Sequence, residues 1–275
     1  HNTVIADEKS QFDSKEDIAE NYHPQKWFSS FTENVQAVSA VENNAYKNVK
    51  LHRTVILINH KNEKPVIIDI FNITSPEAHQ YDLPFWYAGQ FIAAGFPYTV
   101  HGTNQVALSS ANGYQHIWKE AEGKTNKGIA PFTFLNGNSF YSVSASADSA
   151  TKLFFVRSGA SDPNFNLRRE PAFLVRKQGS NCAFVSVIEK HGSFNSIAET
   201  AAGSAPSAGK IETMVNDSAY TAIRISFKTG KTYTVAISNE NNNTETQHTL
   251  KVNSDTLNWK GPFYFFETTT SNNKN

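Results

Sequence analysis

The chain has 275 residues with 25 basic and 25 acidic side chains, and a pI near 7.3. That balance argues against a nucleic-acid partner, which normally draws a basic surplus, and leaves an anionic ligand open only where positive charge is local. The single cysteine, Cys182, forbids an intrachain disulfide, and no apolar run approaches the length that spans a membrane.

In chain order, the strand signals dominate. The chain opens at His1 rather than Met, and Thr3 to Ala6 already read as a strand entering a core, so the start reads as a cut inside a longer protein. Ser14 to Asn21 reads as one short helix, capped by Ser14 with acids in its first turn. Val35 to Val41 alternates apolar and polar residues. Thr54 to Ile58 and Val66 to Phe71 flank a polar turn and predict a hairpin. Further strands are expected at Tyr81–Tyr87, Gln105–Leu108, His116–Ala121, Phe132–Leu135, Phe140–Ala145 and Lys152–Arg157. The series continues with Ala172–Arg176, Ala183–Glu189, Lys210–Asn216, Tyr220–Phe227, Lys231–Ile237, Thr246–Val252 and Gly261–Thr268. Gln178–Asn181 and Lys228–Gly230 read as hairpin connections. Gly123–Ala130 and Ala201–Gly209 read as small-residue surface loops, and Ser271–Asn275 as a fraying tail. Strands at short spacing, without intervening helical periodicity, predict an all-β fold, a large antiparallel multi-sheet β-sandwich, in one domain.

No phosphate-binding loop, dinucleotide fingerprint, paired Cys-x-x-Cys or zinc-protease helix is present. The nine histidines are dispersed, with no pair at i, i+2 or i, i+4, so spacing alone builds no zinc site. The segment Gly159 to Pro171 stands out: Asn, Asp, Pro and Gly break both regular periods, and Arg168 and Arg169 sit beside Glu170. Guanidinium forks grip carboxylates, amides bond hydroxyls and rings cover sugar faces, so this loop suits a carboxylated sugar; the plainer reading pairs its arginines with its own acids. His79 either joins Gln80, Tyr81 and Asp82 in a polar cluster or is a hydrogen-bonded histidine at a strand start. His191, in Glu189-Lys190-His191-Gly192, either faces a cleft or closes a strand end. Trp86, Tyr87, Tyr114, Trp118 and Phe165 are stacking platforms or, as strand aromatics more often are, core. Arg53 and Arg176 read as structural ion-pair partners.

Several stretches together resemble the C-terminal part of the heparinase II/III-like polysaccharide lyases, and within them the family-17 alginate lyases, the oligoalginate lyases. They are His1-Asn2-Thr3-Val4 with Asp7-Glu8, Ala45-Tyr46 followed by Arg53-Thr54, and His79-Gln80-Tyr81-Asp82-Leu83-Pro84. They continue with Asn112 to Ala121, Gly159 to Arg168, and Glu189-Lys190-His191-Gly192 with Glu199 beyond. The resemblance implies an α/α toroid preceding a large antiparallel β-sandwich, and β-elimination on uronate polymers. A cationic or hydrogen-bonding group quenches the carboxylate, a base takes the C5 proton, and an acid, typically Tyr, protonates the leaving oxygen at C4.

By the same resemblance, the catalytic Asn, His and Tyr lie upstream of the His-Asn-Thr-Val motif, so no catalytic residue is expected in this chain. His1 is implied as one ligand of a structural zinc whose other ligands, a His and an Asp, also lie upstream. A late acid, Glu199 or Glu189, is implied at the substrate cleft, with Arg168, Arg169 and His79 as further substrate-binding candidates. The expected substrate is alginate or another uronate oligosaccharide, attacked from its end. The expected partner is the toroid of the same protein, and the expected location is the bacterial periplasm or cell surface. The rival readings are a non-catalytic domain that binds acidic glycans through Arg168 and Arg169, a structural domain that completes the toroid's cleft, and a lyase acting on heparin-like chains.

Overall fold

The computed structural model describes residues 2–102, 106–159, 169–253 and 255–270. Among these, fourteen strands share one hydrogen-bonded antiparallel sheet. Its main path runs from Gln25–Phe31 through Val35–Tyr46, Val49–Ile58, Val66–Trp86, Pro171–Asn195, Ser139–Ala147 and Gly128–Asn136 to Gln90–Ala94. Lys152–Ser158 joins the first half of Pro171–Asn195, and Ile117–Gly123 joins Lys152–Ser158 in turn. A second sheet comprises Ala208–Asn216, Tyr220–Phe227, Lys231–Ser238 and Phe263–Thr269, and a two-stranded ribbon, Gln247–Val252 with Asp255–Lys260, lies beside it. The all-β, multi-sheet sandwich read from the sequence is therefore the architecture observed.

Two very long strands organise the packing. In Val66–Trp86, successive side chains point to opposite faces. Ile68 and Ile70 enter a core completed by Ile211, Ile223, Ile225, Val235 and Ile237 of the second sheet. Phe71, Ile73, Tyr81, Leu83 and Phe85 enter a different core, rich in aromatic rings, where Phe132, Phe155 and Phe173 cluster with centroids 4.7–6.1 Å apart. Pro171–Asn195 does the same with a change of parity: Phe173 and Val175 enter the aromatic core, and beyond the middle so do Cys182 and Phe184. The seven-residue step from Val175 to Cys182 is odd, and a strict period of two would put Cys182 on the wrong face.

A bulge supplies the correction. Gly179 pairs with His79 and Asn181 with Thr74, so one residue, Ser180, stands against Ser75–Ala78. Pro76, lacking an N–H, is suited to a place outside the ladder. The Gln178–Asn181 stretch is thus not the hairpin connection that its Gly and Asn predict. The chain runs on through it, and the two predicted strands on either side are one. Tyr81–Tyr87 likewise continues the strand that begins at Val66.

Three further expectations are corrected. The helix is shorter, Glu16–Ala19, and Ser14 does not cap it: at φ 62° it lies outside the extended region that an N-cap needs, and Lys15 holds the cap position without a side-chain bond. Five strands, Gln25–Phe31, Gln90–Ala94, Tyr98–Val100, Thr200–Ala202 and Asp255–Lys260, escaped the pattern because they are short or bury few side chains. The predicted loop at Gly123–Ala130 is shorter, because one strand ends at Gly123 and the next, Gly128–Asn136, begins within it. The turn at Lys228–Gly230 joins neighbouring strands as predicted, and Ser271–Asn275 lie outside the described residues.

Candidate substrate-facing site

The bulge at Ser75–Ala78 carries the chemistry. It meets the N-terminal segment, where Ile5–Ala6 pairs with Tyr81 and Asp82. Asp7 then turns at φ 49°, and its carboxylate accepts the Gln80 N–H at 3.0 Å and the His79 Nδ1–H at 2.7 Å. A carboxylate only accepts, so the ring proton lies on Nδ1 and, in the neutral imidazole, Nε2 accepts from the Ser75 hydroxyl at 3.1 Å. That hydroxyl oxygen in turn accepts the Glu77 N–H at 3.3 Å. Partial burial raises the Asp7 pKa, but His79, the Gln80 amide and the charges of His79 and Lys9 outweigh it and hold the carboxyl below its usual range. The three side chains border a cleft of about 490 Å³ that Phe12, Tyr46 and Lys47 also line. The arrangement fixes an imidazole at a cleft wall, with its tautomer set by an acid behind it.

Behind this corner lies a buried ion cluster. Arg176 donates from Nε and Nη2 to the two oxygens of Asp82, at 2.7 and 2.8 Å, and from Nη2 to Glu8 at 3.0 Å. Tyr114 donates its hydroxyl to Asp82 at 2.8 Å. Asp82 is 1% exposed, and burial raises its pKa against the opposing pull of Arg176 and Tyr114. Burial, then the charge of Asp82, raises Tyr114. Glu8 also accepts from Gln80 at 3.1 Å, so the cluster braces the backbone that presents His79. On the next strand pair, Arg53 grips Asp69 through two bonds of 2.8 Å and donates to the Asn2 carbonyl at 2.6 Å. Arg53 and Arg176 are thus structural partners, as the sequence suggested.

Among the described residues, the other predicted ones do not converge on His79. Glu189 is 4% exposed; its carboxylate accepts from the Ser207 hydroxyl and N–H and from the Ala208 N–H, so it anchors the segment before the second sheet and faces no cleft. Glu199 is exposed on a turn at φ 51° beyond the far end of Pro171–Asn195. At ~3.3 Å per residue, roughly 50 Å of strand separates that end from Gly179, the partner of His79. Arg169 is exposed, its side chain packed over Gly159. His1, Arg168 and Phe165 lie outside the described residues.

His191 joins Ser142 at 2.7 Å and the Gly203 carbonyl at 2.7 Å, tying a returning loop to the sheet. Of the aromatic platforms, Tyr114 is buried, Tyr87 packs on Phe132 and Phe134, Trp86 packs on a small apolar cluster, and Trp118 donates to the Gly159 carbonyl. Sequence reasoning missed Asp7 and Ser75 as partners of His79; the acid is 72 positions away and no local spacing announces it.

Among the described residues no group of three His, Cys, Asp or Glu side chains converges as a metal site. They therefore do not by themselves fit the zinc centre implied by the resemblance. Among the described residues, no helix is long and apolar enough to cross a membrane.

The heparinase II/III-like, C-terminal family model matches residues 1–225. The chain is 31% identical to an alginate lyase of Stenotrophomonas maltophilia (strain K279a) over 95% of its own length and 35% of that protein's. It is 29% identical to an exo-oligoalginate lyase of Saccharophagus degradans (strain 2-40), over 95% of its length and 36% of that protein's. The chain thus spans about a third of the length of these curated relatives. Among solved structures it resembles heparan sulfate lyase HepC from Pedobacter heparinus, with a TM-score of 0.53 at 15% identity over 88% of this chain and 31% of that one. It also resembles a heparinase III, with a TM-score of 0.54 at 14% identity over 86% of this chain and 29% of that one. At such identities these structures speak for the fold alone.

Proposed function

This chain belongs to the heparinase II/III-like, C-terminal family, and from that membership we propose that it forms the β-sandwich portion of a lyase that shortens alginate oligosaccharides from their ends by β-elimination. The observation that carries the proposal is kinship in sequence, along nearly the whole chain, to two enzymes named for alginate. The heparan sulfate lyase and the heparinase III share the fold at much lower identity, which favours an unsulfated uronate chain over a sulfated one.

In this reading the acid–base chemistry belongs to residues outside this chain. The uronate C5 proton becomes acidic only when the neighbouring carboxylate charge is quenched and the forming enolate is stabilised. The sandwich supplies part of the wall around that event. Arg168 and Arg169 provide guanidinium groups for uronate carboxylates and His79 a ring of fixed tautomer, while Glu199, roughly 50 Å of strand from His79, would meet a different part of the glycan. Glu189, committed to Ser207 and Ala208, drops out of the substrate-binding set.

Zinc enters on the resemblance alone: His1 would give one ligand, with the others from outside this chain, and the metal would brace the cleft. A preceding α/α toroid and a periplasmic or surface location in a bacterium belong to the same proposal.

The test compares this chain alone with the chain joined to a toroid of the family. Both are incubated with mannuronate, guluronate and heparan-sulfate oligomers, and the C4–C5 double bond is followed by ultraviolet absorbance. The proposal expects turnover of uronate oligomers by the joined protein only. Turnover by the isolated chain, or a preference for heparan sulfate, overturns it.

A further inference from the structure

A second groove lies on the face of the sheet turned away from the aromatic core. Phe154, Val156, Ala172 and Leu174 form an apolar cluster there. At one end of it a cleft of about 620 Å³ is lined by Lys119, Lys124, Lys152 and Arg176 against one acid, Glu122, with Phe154 beneath them. In a chain of zero net charge, this is local positive charge.

The strand register explains how it arises. Lys152 stands directly opposite Arg176. Leu153 pairs with Gly123 and Phe154 with Glu122, so Lys124 falls opposite Lys152 one step beyond the ladder. Lys124, Lys152 and Arg176 therefore form a row across three neighbouring strands. Like charges directly opposite one another on a sheet destabilise it.

The row is only partly neutralised from within. Arg176 is satisfied by Asp82 and Glu8, and Glu122 is shared by Lys119 at 3.8 Å and His101 at 3.7 Å. Among the described residues, neither Lys124 nor Lys152, both exposed, has a carboxylate within ion-pair distance. The Tyr98 side chain turns to the other face of the sheet, edge-on to Phe91 and Phe155, so the groove is a charged surface rather than a stacking platform. The groove depends on Gly123, where a Cβ would meet the Pro97 carbonyl oxygen at 2.7 Å and the Phe96 ring at 2.9 Å; its bareness lets the Phe96–Tyr98 segment lie against the sheet.

We propose that this groove is a second, non-catalytic binding site for a carboxylated glycan chain, with Lys124 and Lys152 meeting successive carboxylates. Neighbouring strands lie ~4.8 Å apart, about the length of one pyranose ring, so cations on adjacent strands match charges repeated along a uronate chain. Ammonium groups give charge without demanding one hydrogen-bond geometry, which suits a chain held in sliding register rather than a reacting sugar fixed in place. The choice of glycan rests on the function proposed above; the anionic character of the ligand rests on the groove alone.

The experiment titrates this chain with mannuronate tetramer, cellotetraose and a heparan-sulfate tetramer at low salt, by calorimetry and amide chemical shifts. Mannuronate binding with amide shifts at Thr99, Gly123 and Leu153, weakened at least tenfold by Lys124→Glu with Lys152→Glu, is expected. Cellotetraose should not bind, and raised salt should weaken the binding. Lys124→Gln with Lys152→Gln, at an unchanged thermal midpoint, guards against a folding defect. The remote Lys210→Glu with Lys260→Glu should leave affinity unchanged. Binding of heparan sulfate but not mannuronate at these residues keeps the anionic-glycan groove and overturns the alginate reading. Absence of binding to either anionic oligomer, or binding indifferent to Lys124 and Lys152, overturns the groove and leaves the lyase reading standing.

Discussion

Asp7 and His79 meet at 2.7 Å across 72 positions of chain, and their contact fastens the N-terminal segment to the bulge in Val66–Trp86. Both side chains are partly exposed, at 38% and 20%, so water screens the pair. Asp7→Asn should cost no more than about 1 kcal/mol of global stability. Its larger effect should be local, with faster hydrogen exchange at the Gln80 amide. The contribution should be present in wild type above the ordinary carboxylate range and fade as pH falls through the lowered pKa of Asp7. Unchanged Gln80 exchange in the variant would show that the bulge holds its shape without the acid.

Arg176 is the more consequential partner. Asp82 is 1% exposed, and Arg176→Ala would leave its carboxylate buried with only Tyr114 to meet it. A loss of about 3–5 kcal/mol is expected from an uncompensated buried charge. Arg176→Lys should recover only part of it, because an ammonium cannot reproduce the two parallel bonds. Urea denaturation of both variants gives the numbers; equal stability of Lys and Arg at this position would sink the claim that the fork matters.

His52 sets a pH limit. It is 2% exposed, its Nε2 lies 2.8 Å from the Ser39 hydroxyl, and burial, then the charge of Lys50, depresses its pKa from 6.5 to about 4. Between those values the unfolded chain binds a proton that the folded chain refuses, so stability rises with pH across the window. The contribution is complete above about 6.5 and lost as pH falls toward 4. The loss on acidification amounts to about 3 kcal/mol. The check is a titration of the His52 ring by NMR in the folded protein; an inflection near 6.5 would contradict the burial argument.

Gly192 is held at φ 45°, and a Cβ there would lie 2.1 Å from the Gly203 carbonyl oxygen and 2.3 Å from that of Ala202. Gly192→Ala should cost about 1–3 kcal/mol for the backbone alone, before the returning loop is displaced. Displacement would also break the bond from His191 to Gly203, so the His191 ring resonances should shift in the variant. A crystal structure of the variant with the loop in place would refute this.

Much of the fold was legible because alternation is a direct imprint of a two-faced strand. Ile56, Ile58, Ile68 and Ile70 announce their strands and all enter one core. Gln178–Asn181 misled because Gly and Asn are as useful in a bulge as in a turn; only the register distinguishes the two. In the site, His79 was visible from its polar neighbours, and Arg176 from its place on a strand. Asp7 was not, because its role comes from tertiary pairing, and Ser75 was not, because it reaches His79 only through the bulge. Nor was the Lys124–Lys152 row, which exists only once two distant segments are placed side by side. Glu189 looked functional for a related reason: an acid beside an exposed turn and an acid buried under hydrogen bonds read alike in a sequence.

The two long strands have a mechanical consequence. Ile70 and Phe71 are consecutive, yet they belong to different cores, and so do Phe184 and Val185. Loosening either core pulls on a backbone segment that the other must keep straight. The two apolar interiors are therefore obliged to melt together: heating should give one sharp transition in calorimetry, and a protease should find no stable half-molecule to leave behind.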